Sequence, residues 1–126
     1  MRNNKTTGEI GEDIARKYLI KNGYTVITSN YARKCGELDI IAKRNGILCF
    51  VEVKAQDVNH ETLKDEHRPE ERVNSRKINK INRTIKYFLA DHHLMDIEWY
   101  FMVVIVKLNR AINLAKVYSV YDGIGV

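Results

Sequence analysis

Four ionisable residues sit where chemistry is possible in the stretch GELDIIAKRNGILCFVEVK, Gly36 to Lys54: Glu37, Asp39, Glu52 and Lys54, interleaved with Leu, Ile, Val and Phe. Alternate residues of a strand share a face. Asn45-Gly46 between the two halves is the strongest short signal for a two-residue hairpin turn. With Arg44 set opposite Ile47, the register carried down both strands places Ile41 across from Phe50, Asp39 across from Glu52 and Glu37 across from Lys54, all on one face. Leu38, Ile40, Ala42, Cys49, Val51 and Val53 fall on the other, which is wholly apolar.

Like charges directly opposed across an antiparallel pair are destabilising, so Asp39 facing Glu52 calls for compensation. A divalent cation supplies it: hard ions such as Mg²⁺ take oxygen ligands, one or two carboxylates with water and substrate phosphate completing the shell. Lys54 projects from the same face as Glu52, where an ammonium orients water or neutralises charge on a phosphorane-like transition state. Metal, water and lysine together make a phosphodiester hydrolysis centre. A plainer reading fits the same spacing. Glu37 and Lys54 then form a cross-strand ion pair on a solvated sheet face, worth about 1 kcal/mol or less.

The elements that must position these groups are legible around them. From Thr7 to Asn22, Ile10, Ile14 and Tyr18 recur at helical spacing with Ala15 and Leu19 beside them; Thr7 is the expected cap and Gly23 the stop. YTVITSN follows as a β-branched strand, then the hairpin. Gln56 to Arg72 holds the sole proline among dense charges and reads as a long mobile loop. A second helix is expected from Ser75 to Asp91, burying Ile78, Ile81, Ile85, Phe88 and Leu89, with Arg76, Lys80 and Arg83 on the opposite face. Trp99 to Val106 reads as a central strand and Ala115 to Tyr121 as the last one.

GELDIIA followed by FVEVK resembles the paired core motifs of the PD-(D/E)xK nucleases, the restriction-endonuclease-like superfamily related to archaeal Holliday-junction resolvases. More narrowly, the chain is similar to the YraN-like family of predicted endonucleases. GEIGEDIARKYLIKNGYTVITSNYARKCGELDIIA and PEERVNSRKINKI also match that family's pattern, so the resemblance covers nearly the whole chain. It implies that Asp39 and Glu52 are metal ligands for Mg²⁺ or Mn²⁺ and that Lys54 is the catalytic lysine. Glu12 matches the family's helix-one glutamate, which joins the metal directly or through water. Glu37 belongs to the G-E-hydrophobic-D pattern; a water-mediated metal contact and a salt bridge explain it equally well. Gln56 stands where the family more often has arginine, and is either a polar substrate contact or a solvated strand end. Lys77 matches the helix-two basic motif and is a candidate phosphate contact, with Arg76, Lys80 and Arg83 extending that surface or forming an ordinary solvated face. Tyr100 and Met102 depart from the pattern, replacing an arginine and an aspartate found in many members.

Composition bounds the rest. The chain has 126 residues, 44% hydrophobic and 29% charged, which is one domain with one packed core. Its longest apolar run, Trp99 to Val106, is too short for a bilayer. The opening MRNNKTTGE lacks an apolar signal region, so the cytoplasm is the expected location. Cys35 and Cys49 form no C-x-x-C, and His60, His67, His92 and His93 show no ligand spacing. Twenty-one basic residues against 16 acidic give a net charge of +5, which suits an anionic partner. Tyr24, Tyr31, Tyr87, Trp99 and Tyr118 are candidates for stacking on bases, with packing as the plainer role.

The expectation is therefore a single α/β domain over residues 1–126, restriction-endonuclease-like, with a mixed sheet of about five strands in the order α-β-β-β-α-β-β. Its expected activity is metal-dependent cleavage of DNA, RNA remaining open as substrate. A binding module with little turnover is the alternative. No membrane is expected as partner, and a homodimer stays open.

Overall fold

Thr6, not Thr7, starts the first helix. Its hydroxyl accepts the Glu9 N–H at 3.1 Å and the Glu9 carboxylate returns to the Thr6 N–H at 3.2 Å, a reciprocal cap for α1, Thr7–Lys21. Asn22 caps the far end and Gly23 turns the chain at φ 89°, a conformation costly for any side chain. The computed structural model describes residues 5–64 and 75–121. Its remaining elements are β1 Thr25–Arg33, β2 Gly36–Arg44, β3 Ile47–Asp57, α2 His60–Lys64, α3 Ser75–Asp91, β4 Trp99–Asn109 and β5 Leu114–Tyr121.

The five strands form one mixed sheet in spatial order β1-β2-β3-β4-β5. All neighbours are antiparallel except β3 and β4, which run parallel because the chain crosses over through α2 and α3 between them. The architecture is α/β with helices on both faces, consistent with a restriction-endonuclease-like fold. Among the described residues, no helix is long and apolar enough to cross a membrane.

The expected hairpin forms on Asn45 and Gly46, both at positive φ (54° and 77°), as its turn type demands. Arg44 pairs with Ile47 and Ile41 with Phe50, as the alternation requires. Both faces of this hairpin build core, however. Ile41 and Phe50 pack under α3 with Ile81, Ile85, Phe88, Phe101 and Val103. Ile40, Ala42, Cys49 and Val51 pack under α1 with Ala15, Leu19, Val104 and Val106. Core was expected on the opposite face alone, with the charges at the open end of this one; α3 covers Ile41 and Phe50 as well.

Two further expectations fail for physical reasons. Leu38 was expected beside Ile40 but lies in the α3 core with its β1 partner Tyr31, so the alternation breaks between them, at Asp39. The span from Gln56 is not all loop. Gln56 and Asp57 continue β3 because the parallel partner β4 extends to Lys107 and Leu108 beside them. Asn59 accepts the Thr62 N–H at 2.7 Å and starts the short α2, whose Leu63 is buried. The rest of that span, including His67, lies outside the described residues.

Candidate metal and phosphodiester site

The site arises where β2 and β3 stop pairing. Their ladder ends at Ile40 and Val51, one pair short of Asp39 and Glu52. The expected ladder pairs of Asp39 with Glu52 and of Glu37 with Lys54 therefore do not form, although on its other edge β2 goes on pairing with β1, Glu37 opposite Ala32. In place of a ladder bond, Asp39 Oδ2 accepts the Val53 N–H at 2.7 Å. A side-chain oxygen thus stands in for a backbone carbonyl, satisfying an amide that the splayed strands would orphan. Across from this break, Asn30 of β1 adopts φ 55°, tolerable for asparagine and rare in a strand.

Residues from both layers converge on this gap in an open pocket of about 450 Å³, lined by Gly8, Glu12, Asp39, Glu52, Val53, Lys54, Ala55, Gln56 and Lys77. Strand alternation from Phe50 sends Glu52 and Lys54 toward the α3 side, next to Val103 and Ile105 on β4. Glu12 approaches from α1 on the opposite side. It gets there because α1 lies almost on β3: a Cβ added at Gly11 would overlap the Ala55 Cβ, so only glycine allows this approach. The cluster of acids is therefore built from two layers, not from one face of a hairpin.

Burial pushes the Asp39 carboxyl up to about 6, against the opposing Val53 hydrogen bond, with Glu12, Glu52 and Glu37 adding repulsion. Burial also raises Glu12, opposed by Arg16 and reinforced chiefly by Glu37. Asn30 relieves part of this charge. With its nitrogen turned toward the acids, Nδ2 donates to Glu12 Oε1 at 2.9 Å and to Glu37 Oε1 at 3.2 Å. Glu52 Oε1 is ion-paired to Lys77 of α3. Its Oε2 is buried with no hydrogen-bond partner among the described residues.

An orphaned carboxylate oxygen beside a carboxyl held far above its ordinary value marks a place short of positive charge. Oxygen donors of this kind fit a hard divalent cation. Among the described residues, no three His, Cys, Asp or Glu side chains converge as a complete metal cage. Water and a substrate phosphate ordinarily supply the missing ligands in Mg²⁺ sites.

Of the residues singled out from sequence, Asp39, Glu52, Lys54, Glu12, Gln56 and Lys77 meet in the pocket. Glu37 stands behind it on Asn30. Arg76, Lys80 and Arg83 are exposed on α3, outside the pocket lining. Met102 is core under α1 and Tyr100 bonds Tyr24, so neither contributes charge here. Tyr31 and Trp99 pack edge-on against Phe88 and Phe50, and Tyr118 is buried, whereas Tyr87 is exposed. Asn30 and Gly11 were not anticipated; Asn30 interrupts a β-branched run, but no periodicity flags a positive φ.

The profile of the uncharacterised protein family UPF0102 matches residues 11–106. The chain belongs to the UPF0102 family. A UPF0102 protein of Clostridium acetobutylicum is 43% identical over 107 residues, covering 85% of this chain and 84% of the relative. One from Caldicellulosiruptor bescii is 36% identical over 121 residues (95% and 98%), and one from Lachnoclostridium phytofermentans 35% over 123 (98% of each). The UPF0102 match runs from Gly11, at the α1–β3 contact, to Val106 on β4, and so spans every pocket residue but Gly8.

Proposed function

We propose that this UPF0102 protein is a metal-dependent nuclease of the PD-(D/E)xK kind, hydrolysing phosphodiester bonds in DNA. The observation that carries the reading is the buried Oε2 of Glu52, without a hydrogen-bond partner among the described residues, in a pocket shared with Asp39 and Lys54. Asp39 and Glu52 hold Mg²⁺ or Mn²⁺, with Glu12 assisting from α1. When bound, the ion would supply positive charge that eases loss of a proton from an attacking water and offsets charge on the phosphorane-like transition state.

The chain's own groups do the remainder. Lys54, two residues beyond Glu52 on the same side of β3, orients the attacking water and carries charge toward the scissile phosphate. Asn30 holds Glu12 and Glu37 in place, and the Val53 amide fixes Asp39. Gln56 extends the pocket wall along β3, where it contacts the substrate backbone. Arg76 and Lys80, exposed on α3, add sequence-independent phosphate attraction, which the net charge of +5 favours.

Purified protein incubated with branched, single-stranded and duplex DNA, and with RNA, in Mg²⁺, Mn²⁺ or EDTA tests the reading. Cleavage that needs metal and is lost in Asp39→Ala, Glu52→Ala and Lys54→Ala supports it. Binding without cleavage on every substrate and metal overturns it in favour of a binding module.

A further inference from the structure

Glu52 uses its two oxygens differently. Oε1 carries the ammonium of Lys77, from the first turn of α3, while Oε2 is buried with no hydrogen-bond partner among the described residues. The two partners also differ in access to solvent: the Glu52 side chain is 16% exposed and that of Lys77 is 45% exposed. The carboxylate is thus the more enclosed partner, and the lysine is the one with room to move. Its four-carbon stem can swing without any change in α3.

A dication held by Asp39 and Glu52 would stand beside the Lys77 ammonium, and two cations drawn to the same Glu52 carboxylate repel each other. Lys77 and the metal are therefore competitors for the same group. We propose that Lys77 is the counter-charge of Glu52 in the metal-free protein and exchanges with the divalent cation. Metal entry releases the ammonium from Oε1, and the released ammonium takes a phosphate oxygen of the DNA at the pocket rim. Metal loading and substrate grip are coupled through one side chain. The inference rests on the metal-dependent reading above and adds to it a role for Lys77 that phosphate binding alone does not require.

Calorimetric titration of the full chain with Mn²⁺, without DNA, separates the two. Lys77→Met is expected to bind Mn²⁺ about tenfold more tightly than the wild type, because the competitor is gone. Lys77→Arg keeps the charge and is expected to stay within about threefold of the wild type. In Ca²⁺, Lys77→Met is expected to bind duplex DNA about tenfold more weakly. Thermal melts of both variants confirm that α3 is intact. Mn²⁺ bound by the wild type but no more tightly by Lys77→Met overturns the exchange alone. No Mn²⁺ bound by any of the three overturns the exchange, and the nuclease reading falls with it if metal-dependent cleavage is absent as well.

Discussion

Asp39 is held by Val53: its Oδ2 accepts the Val53 N–H at 2.7 Å at the point where β2 and β3 have ceased to pair through their backbones. One side chain thus ends a ladder, satisfies an amide and places a carboxyl in the gap it opens. Leu38 moves to the α3 core as a consequence, and the pocket becomes reachable by Glu12 from one layer and Glu52 from the other. Burial first, and the neighbouring acids after it, raise the Asp39 carboxyl to about 6.

A raised carboxyl makes the metal-free protein less stable as pH rises. Between the ordinary value of 3.8 and about 6, the folded state holds a proton on Asp39 that the unfolded state has lost, so unfolding free energy falls across that window. Asp39→Asn keeps an oxygen for Val53 and removes the charge. It is expected to stabilise the metal-free protein by about 2 kcal/mol at pH 8 and by nothing measurable below pH about 4. Urea melts at the two pH values check this. Equal effects at both would show that the charge is not the cause.

The approach of α1 to β3 at Gly11 and Ala55 leaves no room for a methyl group. Gly11→Ala is expected to destabilise by about 1–3 kcal/mol through forced separation of helix and strand. Adding Ala55→Gly removes the opposing methyl and should restore most of the loss. The denaturation midpoints of the single and double variants decide it.

Much of this was legible in the residues. Ile10, Ile14 and Tyr18 mark α1, and Ser75–Asp91 is delimited correctly by its apolar stripe. Asn45-Gly46 sets a register that is right from Arg44–Ile47 to Ile40–Val51. It fails at the next pair because alternation assumes an unbroken ladder, and a buried carboxyl that replaces a backbone acceptor is invisible to a periodicity of two. The contributions of Glu12, from α1, and Lys77, from α3, depend on how two helices pack on opposite faces. Sequence spacing carries no such distance. The resemblance implies a metal contact for Glu12, direct or through water, whereas the pairing of Lys77 with Glu52 is seen only in the fold.

Lys54 has a separable role from the acids. Lys54→Met keeps the aliphatic stem and removes the ammonium that the proposed reaction sets beside the scissile phosphate. It is expected to lower the single-turnover cleavage rate by about 10²–10³. Mn²⁺ affinity should change by less than about threefold, since lysine is not a ligand. Loss of metal binding in this variant would show that Lys54 instead shapes the acidic pocket.

The two thiols differ in environment. Cys49 lies fully buried under α1, and burial pushes its thiol up to about 12, whereas Cys35 is half-buried with its Sγ 3.3 Å from the Thr84 hydroxyl. A thiol-reactive dye at pH 8 is expected to modify Cys35 in the native protein and Cys49 only after unfolding. Peptide mapping of the labelled sites checks this, and native labelling of Cys49 would place the α1–sheet core in doubt.

Single-turnover cleavage of labelled branched DNA by the wild type and by Glu52→Gln, in Mg²⁺ and in EDTA, tests the central claim most directly. The predicted result is wild-type cleavage that EDTA abolishes and that Glu52→Gln lowers by at least about 10². Cleavage that survives EDTA, or runs equally fast in Glu52→Gln, would contradict a metal-dependent centre built on Asp39 and Glu52.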